Sequence, residues 1–162
     1  MACPACGGTS IKATRENFRY DAVGLPRVTL ASVEVSRCLR CGEYEVAIPQ
    51  IGDLHRAIAG VVIAKRERLT PAEIRFLRKF LGWSGSDFAA HIGSAPETVS
   101  RWENGSAPMG VTADRLLRLM VAPRVPGADF SLATLRVIAR EPPRAVRLRV
   151  ELADGRWRAQ AA

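Results

Sequence analysis

The chain has 162 residues, 48% of them apolar and 25% charged, a globular balance that argues against wholesale disorder and fits one ordinary domain or two small ones. Lys and Arg number 24 against 16 Asp and Glu, a formal +8. That suits a polyanionic partner without separating nucleic acid from an acidic protein. No run of about 18 apolar residues is present, which speaks against a membrane-spanning helix, and MACPACGG lacks the basic and apolar regions of a secretory signal. A cytoplasmic protein is expected, with no membrane partner.

All four cysteines fall early, at Cys3, Cys6, Cys38 and Cys41, as two C-x2-C pairs. A two-residue gap lets both thiolates of a pair face one ion at about 2.3 Å. Each second cysteine precedes a glycine, Gly7 and Gly42, whose tolerance of positive φ lets the turn close and brings backbone N–H groups toward sulfur. Disulfides are disfavoured in a cytosolic chain, and a redox motif would explain one pair but not two. The expected cofactor is a structural Zn²⁺ held by all four, a closed site with no position left for catalysis. Residues 1–50 carry a net +1, which falls to −1 with Zn²⁺ on four thiolates, so the basic excess lies further along.

Between the cysteine pairs, 11–20 and 27–37 read as strands around a turn at 21–26, and 43–48 as a third short strand. Together they make a small zinc ribbon over 1–49, too small to fold without its metal. Residues 50–67, within a connecting segment 50–69, read as a helix with Ile51, Leu54, Ile58, Val61 and Val62 on one face. It is either a connector or part of a dimer seam.

Three helix starts follow. Thr70-Pro71-Ala72-Glu73 has an N-cap, a proline at the first helical position and a glutamate three residues on. Ser84-Gly85-Ser86-Asp87 is a weaker capping box, and Ser94-Ala95-Pro96-Glu97 reads as a third. Ile74, Leu77, Phe80, Leu81, Phe88, Ala89, Ile92, Val99 and Trp102 form the expected core, and the tight turn at Gly93 makes the last two helices a helix-turn-helix. A further helix is expected at about 111–121, with Leu116, Leu117, Leu119 and Met120 inward. In the tail, 122–162, a short helix from Ser131 carries Leu132, Leu135 and Ile138. Val146, Leu148, Val150 and Leu152 then alternate, and Asp154-Gly155 predicts a hairpin. Its apolar face must cover the helices or another subunit, and its arginines are either a solvated face or a second phosphate contact. The fold class is therefore α+β: an N-terminal zinc ribbon, an all-α helix-turn-helix domain and a C-terminal β-hairpin.

Residues 70–121 resemble Xre-type (lambda-repressor-like) helix-turn-helix domains, through LTPAEIRFLRKFLGWSGSDFAAHIG and APETVSRWENG. MACPACGG and RCLRCGEYE resemble the zinc-binding domain of MqsA-type antitoxins, also called YgiT-type zinc finger proteins, and the order of the two domains matches that family over about 1–121. The resemblance implies that the helix after the Gly93 turn enters the DNA major groove, so that Pro96, Glu97, Thr98 and Arg101 face bases with Ser100 alongside. Arg101 can donate to both O6 and N7 of guanine, or instead pair with Glu97 one turn earlier. Glu97 either bonds back to the Ser94 amide or accepts from cytosine N4. Thr98, Ser100 and Asn104 can bond phosphate oxygens, as can Ser84 and Ser86 at a helix N-terminus that resembles the family's phosphate site. Pro96 and Glu97 depart from the family's usual residues, so no operator sequence carries over.

His55 and His91 read as helix-surface residues. No nucleotide-binding loop, G-x-S-x-G or H-E-x-x-H motif is present, and an enzyme is not expected. The resemblance implies the antitoxin of a type II toxin–antitoxin pair, neutralising a toxin through its zinc domain and repressing its operon as a homodimer on double-stranded DNA. The alternative is a stand-alone Xre-family regulator with no toxin.

Overall fold

The computed structural model describes residues 1–128 and 130–162. Two strands open the chain, β1 (Ile11–Arg19) and β2 (Val28–Cys38), paired antiparallel with an irregularity between Glu16 and Phe18. Strand β3 (Tyr44–Val46) returns along the cysteine-proximal half of β2. It spans three residues, so it leaves the first half of the same β2 edge unpaired. The C-terminal strand β4 (Leu148–Ala153) fills that gap, running parallel to Val28–Ala31, and β5 (Arg156–Ala161) pairs antiparallel with β4. The result is one five-stranded sheet in the order β1-β2-β4-β5, with β3 on β2.

The fold class is the expected α+β, and the Asp154-Gly155 hairpin forms with both residues left-handed (φ 52° and 71°), as its strand twist requires. Its apolar face packs on a helix, the first of the two expected alternatives: Leu148, Val150 and Trp157 are buried against the helix 51–64. What the sequence did not signal is that the hairpin also extends the N-terminal sheet. A β2 edge left half-bare would expose unpaired backbone groups, and β4 satisfies them.

Helix α1 (Ile51–Ala64) packs against β4 and β5 on one side and against α2 (Pro71–Phe80) and α5 (Val111–Val121) on the other. Leu54, Ile58, Ala59, Val62 and Ile63 are all buried, a face too wide for an exposed connector. Ile51, expected inward, is half exposed. The helical half contains α2, α3 (Gly85–Ile92), α4 (Pro96–Asn104), α5 and the short α6 (Leu132–Val137). On α5 the buried positions are Asp114, Leu117, Arg118 and Val121, a clean i, i+3, i+4, i+7 stripe. Leu119 points outward, contrary to expectation, and so does Leu132 on α6. One core runs unbroken from Leu30 and Val150 of the sheet through α1 to Leu77, Phe88 and Trp102. Among the described residues no helix is long and apolar enough to cross a membrane.

The stretch 64–70, which joins α1 to α2, is held by buried charge. Arg118 and Asp114 are both fully buried and pair at 2.7 Å. The Arg118 guanidinium also donates to the carbonyls of Ile63 (3.1 Å), Lys65 (2.5 Å) and Glu67 (2.6 Å). The first two are carbonyls that the end of α1 leaves without a helical partner. Asp114 in turn accepts the Leu69 amide at 2.7 Å. One turn on, Glu73 accepts Lys65 Nζ (2.5 Å) and the Thr70 amide (2.8 Å), completing the α2 capping box, and reaches the Val146 amide at 3.2 Å. Two cations and two anions cancel, and nearly every polar atom has a partner, which is the condition for tolerating ions in a core.

Arg118→Leu strands the Asp114 carboxylate and the α1 carbonyls. It should lower unfolding free energy by about 3–5 kcal/mol in urea titration. Arg158→Leu, which removes an exposed pair, should leave the midpoint unchanged.

Candidate nucleic-acid interface and metal centre

Helices α3 and α4 meet at the left-handed Gly93 turn. Val99 and Trp102 are the buried positions of α4, and Trp102 packs edge-on against Phe88 of α3 with centroids 6.3 Å apart. This confirms its core role. The remaining anchor is Glu103, for which the sequence offered no partner. Its carboxylate takes a two-pronged bond from Arg78 of α2, at 2.5 and 3.0 Å, and its carbonyl accepts Arg75 at 2.7 Å. Such paired geometry fixes orientation as well as distance, so α4 is locked against α2 and α3 along one side only.

The other side is free. Glu97, Ser100, Arg101 and Asn104 are all exposed, and their spacing places them in one stripe. Arg101 pairs with nothing among the described residues, so the Glu97–Arg101 pairing is not formed. The third capping box is also not formed: the N-cap is Ala95, with no side-chain bond. Proline at the first helical position dictates this. Pro96 in that place makes Ala95 the cap and Glu97 the second helical residue, one short of the reach a capping box needs. In α2 the same logic puts Thr70 at the cap and Glu73 third. Glu97 therefore carries a carboxylate with no structural task.

The α3 capping box is present. Ser84 Oγ accepts the Asp87 amide at 3.1 Å, and Asp87 accepts the Ser84 amide (2.9 Å) and hydroxyl (2.7 Å). These bonds hold the Asp87 carboxyl below its ordinary range. The Ser84 hydroxyl proton is thus already engaged, whereas Ser86 is exposed beside it. Ser86, Pro96, Ser100 and Asn104 line one shallow recess of about 330 Å³, together with Arg75. Ser84 and half-buried Thr98 stand outside it. Asn104 Oδ1 accepts the Ser106 amide at 2.9 Å, which leaves its side-chain NH₂ as the outward donor. Arg75 was not a candidate from sequence, since nothing local to α2 signals that it reaches α4.

His91 is exposed and lies flat on Trp83, centroids 4.0 Å apart. His55 is only partly a surface residue. It sits half-buried between Tyr20, whose hydroxyl is 3.2 Å from Nε2, and the edge of Phe76, and burial pushes its pKa down.

At the far end of the sheet the four cysteine sulfurs lie within 4.8 Å of one another, with Cys3–Cys41 and Cys6–Cys38 at 3.7 Å. No disulfide forms among them. Four sulfurs at about 2.3 Å from one tetrahedral ion stand about 3.8 Å apart, so the cluster fits a metal without rearrangement. Gly7 and Gly42, both at positive φ, close two equivalent turns in which their amides bond the carbonyls of Cys3 and Cys38. The Cys41 and Arg40 amides, opposed by desolvation, pull the Cys38 thiol down to about 6. The Glu43 amide pulls Cys41 the same way, but the sulfurs of Cys6, Cys3 and Cys38 together with desolvation outweigh it and push Cys41 up to about 12. Four thiolates this close would repel one another, and a cation among them would remove that repulsion.

Comparison with protein families matches residues 74–130 to a model described as Helix-turn-helix, and this segment is an Xre-family helix-turn-helix domain. Neither curated proteins nor solved structures give a match.

Cys38→Ser should abolish stoichiometric metal binding, read by elemental analysis of the purified chain. Amide exchange should accelerate in β1, β3 and the cysteine end of β2 while α2–α5 keep their protection. Metal at the wild-type ratio would refute a four-sulfur site.

Proposed function

We propose that the chain is a sequence-specific transcriptional repressor that reads double-stranded DNA in the major groove through α4. The observation that carries this reading is Arg101, an exposed guanidinium, without a partner among the described residues, at the middle of the free face of the second helix in a helix-turn-helix domain. Its fork suits O6 and N7 of guanine. Glu97, with no cap to make, is assigned to cytosine N4, a contact that is favourable only where that base is present and so adds selectivity. Ser86, Ser100, Thr98 and Asn104 contact phosphates, with Ser84 setting the start of α3. The four cysteines hold Zn²⁺, whose tetrahedral all-sulfur preference matches the cluster, and the ion is structural.

The repressor acts as a homodimer on half-sites about 34 Å apart or a multiple of that. Leu119 on α5 and Leu132 and Val137 on α6 are exposed apolar residues, with α6 tied to α5 by Arg115 bonding the Ile138 carbonyl at 3.2 Å. They offer the surface a second copy would cover. The finer reading is an antitoxin that represses its own operon and binds a cognate toxin through residues 1–49. It is supported by the order of a four-cysteine ribbon ahead of an Xre domain, and by Leu39 and Tyr44, apolar and exposed beside the cysteines. A stand-alone regulator is the alternative.

Arg101→Ala should cost about 1–3 kcal/mol of discrimination between operator and random DNA. An unchanged affinity ratio in the mutant would displace α4 as the reading helix. For the antitoxin reading, the full chain purified from its own host should co-elute with one small protein, and Leu39→Glu should lose it while DNA affinity stays unchanged. Truncation of the ribbon is the wrong test, because it strips β2 from β4.

A further inference from the structure

We propose that the groove between α1 and the free edge of β5 is a docking site for an extended, acidic segment of a partner protein, which adds to the sheet as a further strand. The groove involves neither α4 nor the cysteine cluster and does not depend on the DNA-binding reading.

Three observations converge on it. First, two recesses of about 610 and 900 Å³ share Arg56 and Pro126 as walls, so they adjoin along α1 and together are longer than a small ligand fills. Second, four successive residues of β5, Arg156 to Ala159, line the larger recess. Consecutive residues of a strand belong to opposite faces, so a recess lined by all four is one to which the strand presents its edge. That edge is the one β4 does not pair, and among the described residues its outward amides and carbonyls have no partner. The floor is apolar, with Trp157 and Phe130 in its wall. Backbone pairing along an open edge over apolar pockets is a recurrent way of binding extended peptides.

Third, the charge selects the occupant. Lys79 and Arg124 flank one end of the groove, Arg56 its middle, and Arg156 and Arg158 the other end. Arg56 is paired with Asp53 and Arg158 with Asp154. Among the described residues, Lys79 and Arg156 pair with no acid, and Arg124 bonds only the Leu81 carbonyl. A second copy of this chain is a poor occupant. Antiparallel self-pairing centred on Arg158 would set that residue against its own copy, and like charges directly opposite are destabilising. An acidic strand meets complementary charge at both ends.

The probe is a fluorescent ten-residue peptide of alternating valine and glutamate, titrated into the full chain by fluorescence polarisation. It should bind, and hydrogen exchange should slow in residues 156–161. A version N-methylated at alternate residues keeps its charge but loses backbone donors, and should bind at least about tenfold more weakly. The double variant Lys79→Gln, Arg156→Gln alters two exposed side chains and should weaken the peptide by a similar factor. Equal binding of the N-methylated peptide would mean charge adhesion alone and overturn the proposal, as would no binding at about 1 mM or unchanged exchange in β5. If random duplex DNA slows exchange in 156–161, and the double variant weakens that duplex but not the peptide, the groove faces phosphates rather than a protein strand.

Discussion

The structure depends on a neutral knot of four buried charges. Arg118 and Asp114 close the end of α1, and Lys65 and Glu73 open the start of α2. Between them they bind the carbonyls and amides of the linking stretch and, through Glu73 and Lys65, the backbone at Val146 and Arg144. Three parts of the chain, far apart in sequence, therefore meet at one point. Buried ion pairs seldom add much stability over an apolar replacement. What this one does is satisfy backbone groups that an apolar cluster would leave bare, and so set how the helix-turn-helix domain sits against the rest.

The sheet carries the same logic to the other half. Strand β2 begins against β4 and ends at Cys38 between two metal-type turns. The cysteine cluster is thus one end of a strand whose other end lies in the common core. Four sulfurs fitted to a tetrahedron hold a corner of the fold that has few apolar contacts of its own. Seen this way, the ribbon and the C-terminal hairpin are halves of one sheet that rests on α1, and α1 is the plate between that sheet and the helical domain.

Helix α4 divides sharply into two faces. Val99, Trp102 and Glu103 fasten it to α2 and α3, while Glu97, Ser100, Arg101 and Asn104 carry no internal duty beyond the Asn104 turn bond. A side chain that a fold does not need is available for recognition, and the rigid seating of the opposite face fixes where it points. If α4 reads DNA as proposed, Arg78 and Glu103 position the Arg101 stripe, although neither belongs to it.

By itself, the sequence determined what depends on neighbours within a few residues. The C-x2-C pairs with their following glycines, the Thr70 and Ser84 capping boxes, the Gly93 turn and the Asp154-Gly155 hairpin are all local, and each formed as its chemistry dictates. Where local signals competed, position within the motif decided: Pro96 fixed the α4 cap at Ala95 against the pull of Ser94 and Glu97. Tertiary structure alone decided which edge β4 would take, because alternating hydrophobicity says that a strand has a buried face but not which strand lies beside it. It also chose the outward turn of Leu119, the partial burial of His55, and the partners of Glu103 and Arg118. A charged side chain reads in sequence as solvated surface, and only the approach of α1, α2 and α5 made Arg118 the most completely enclosed cation in the fold.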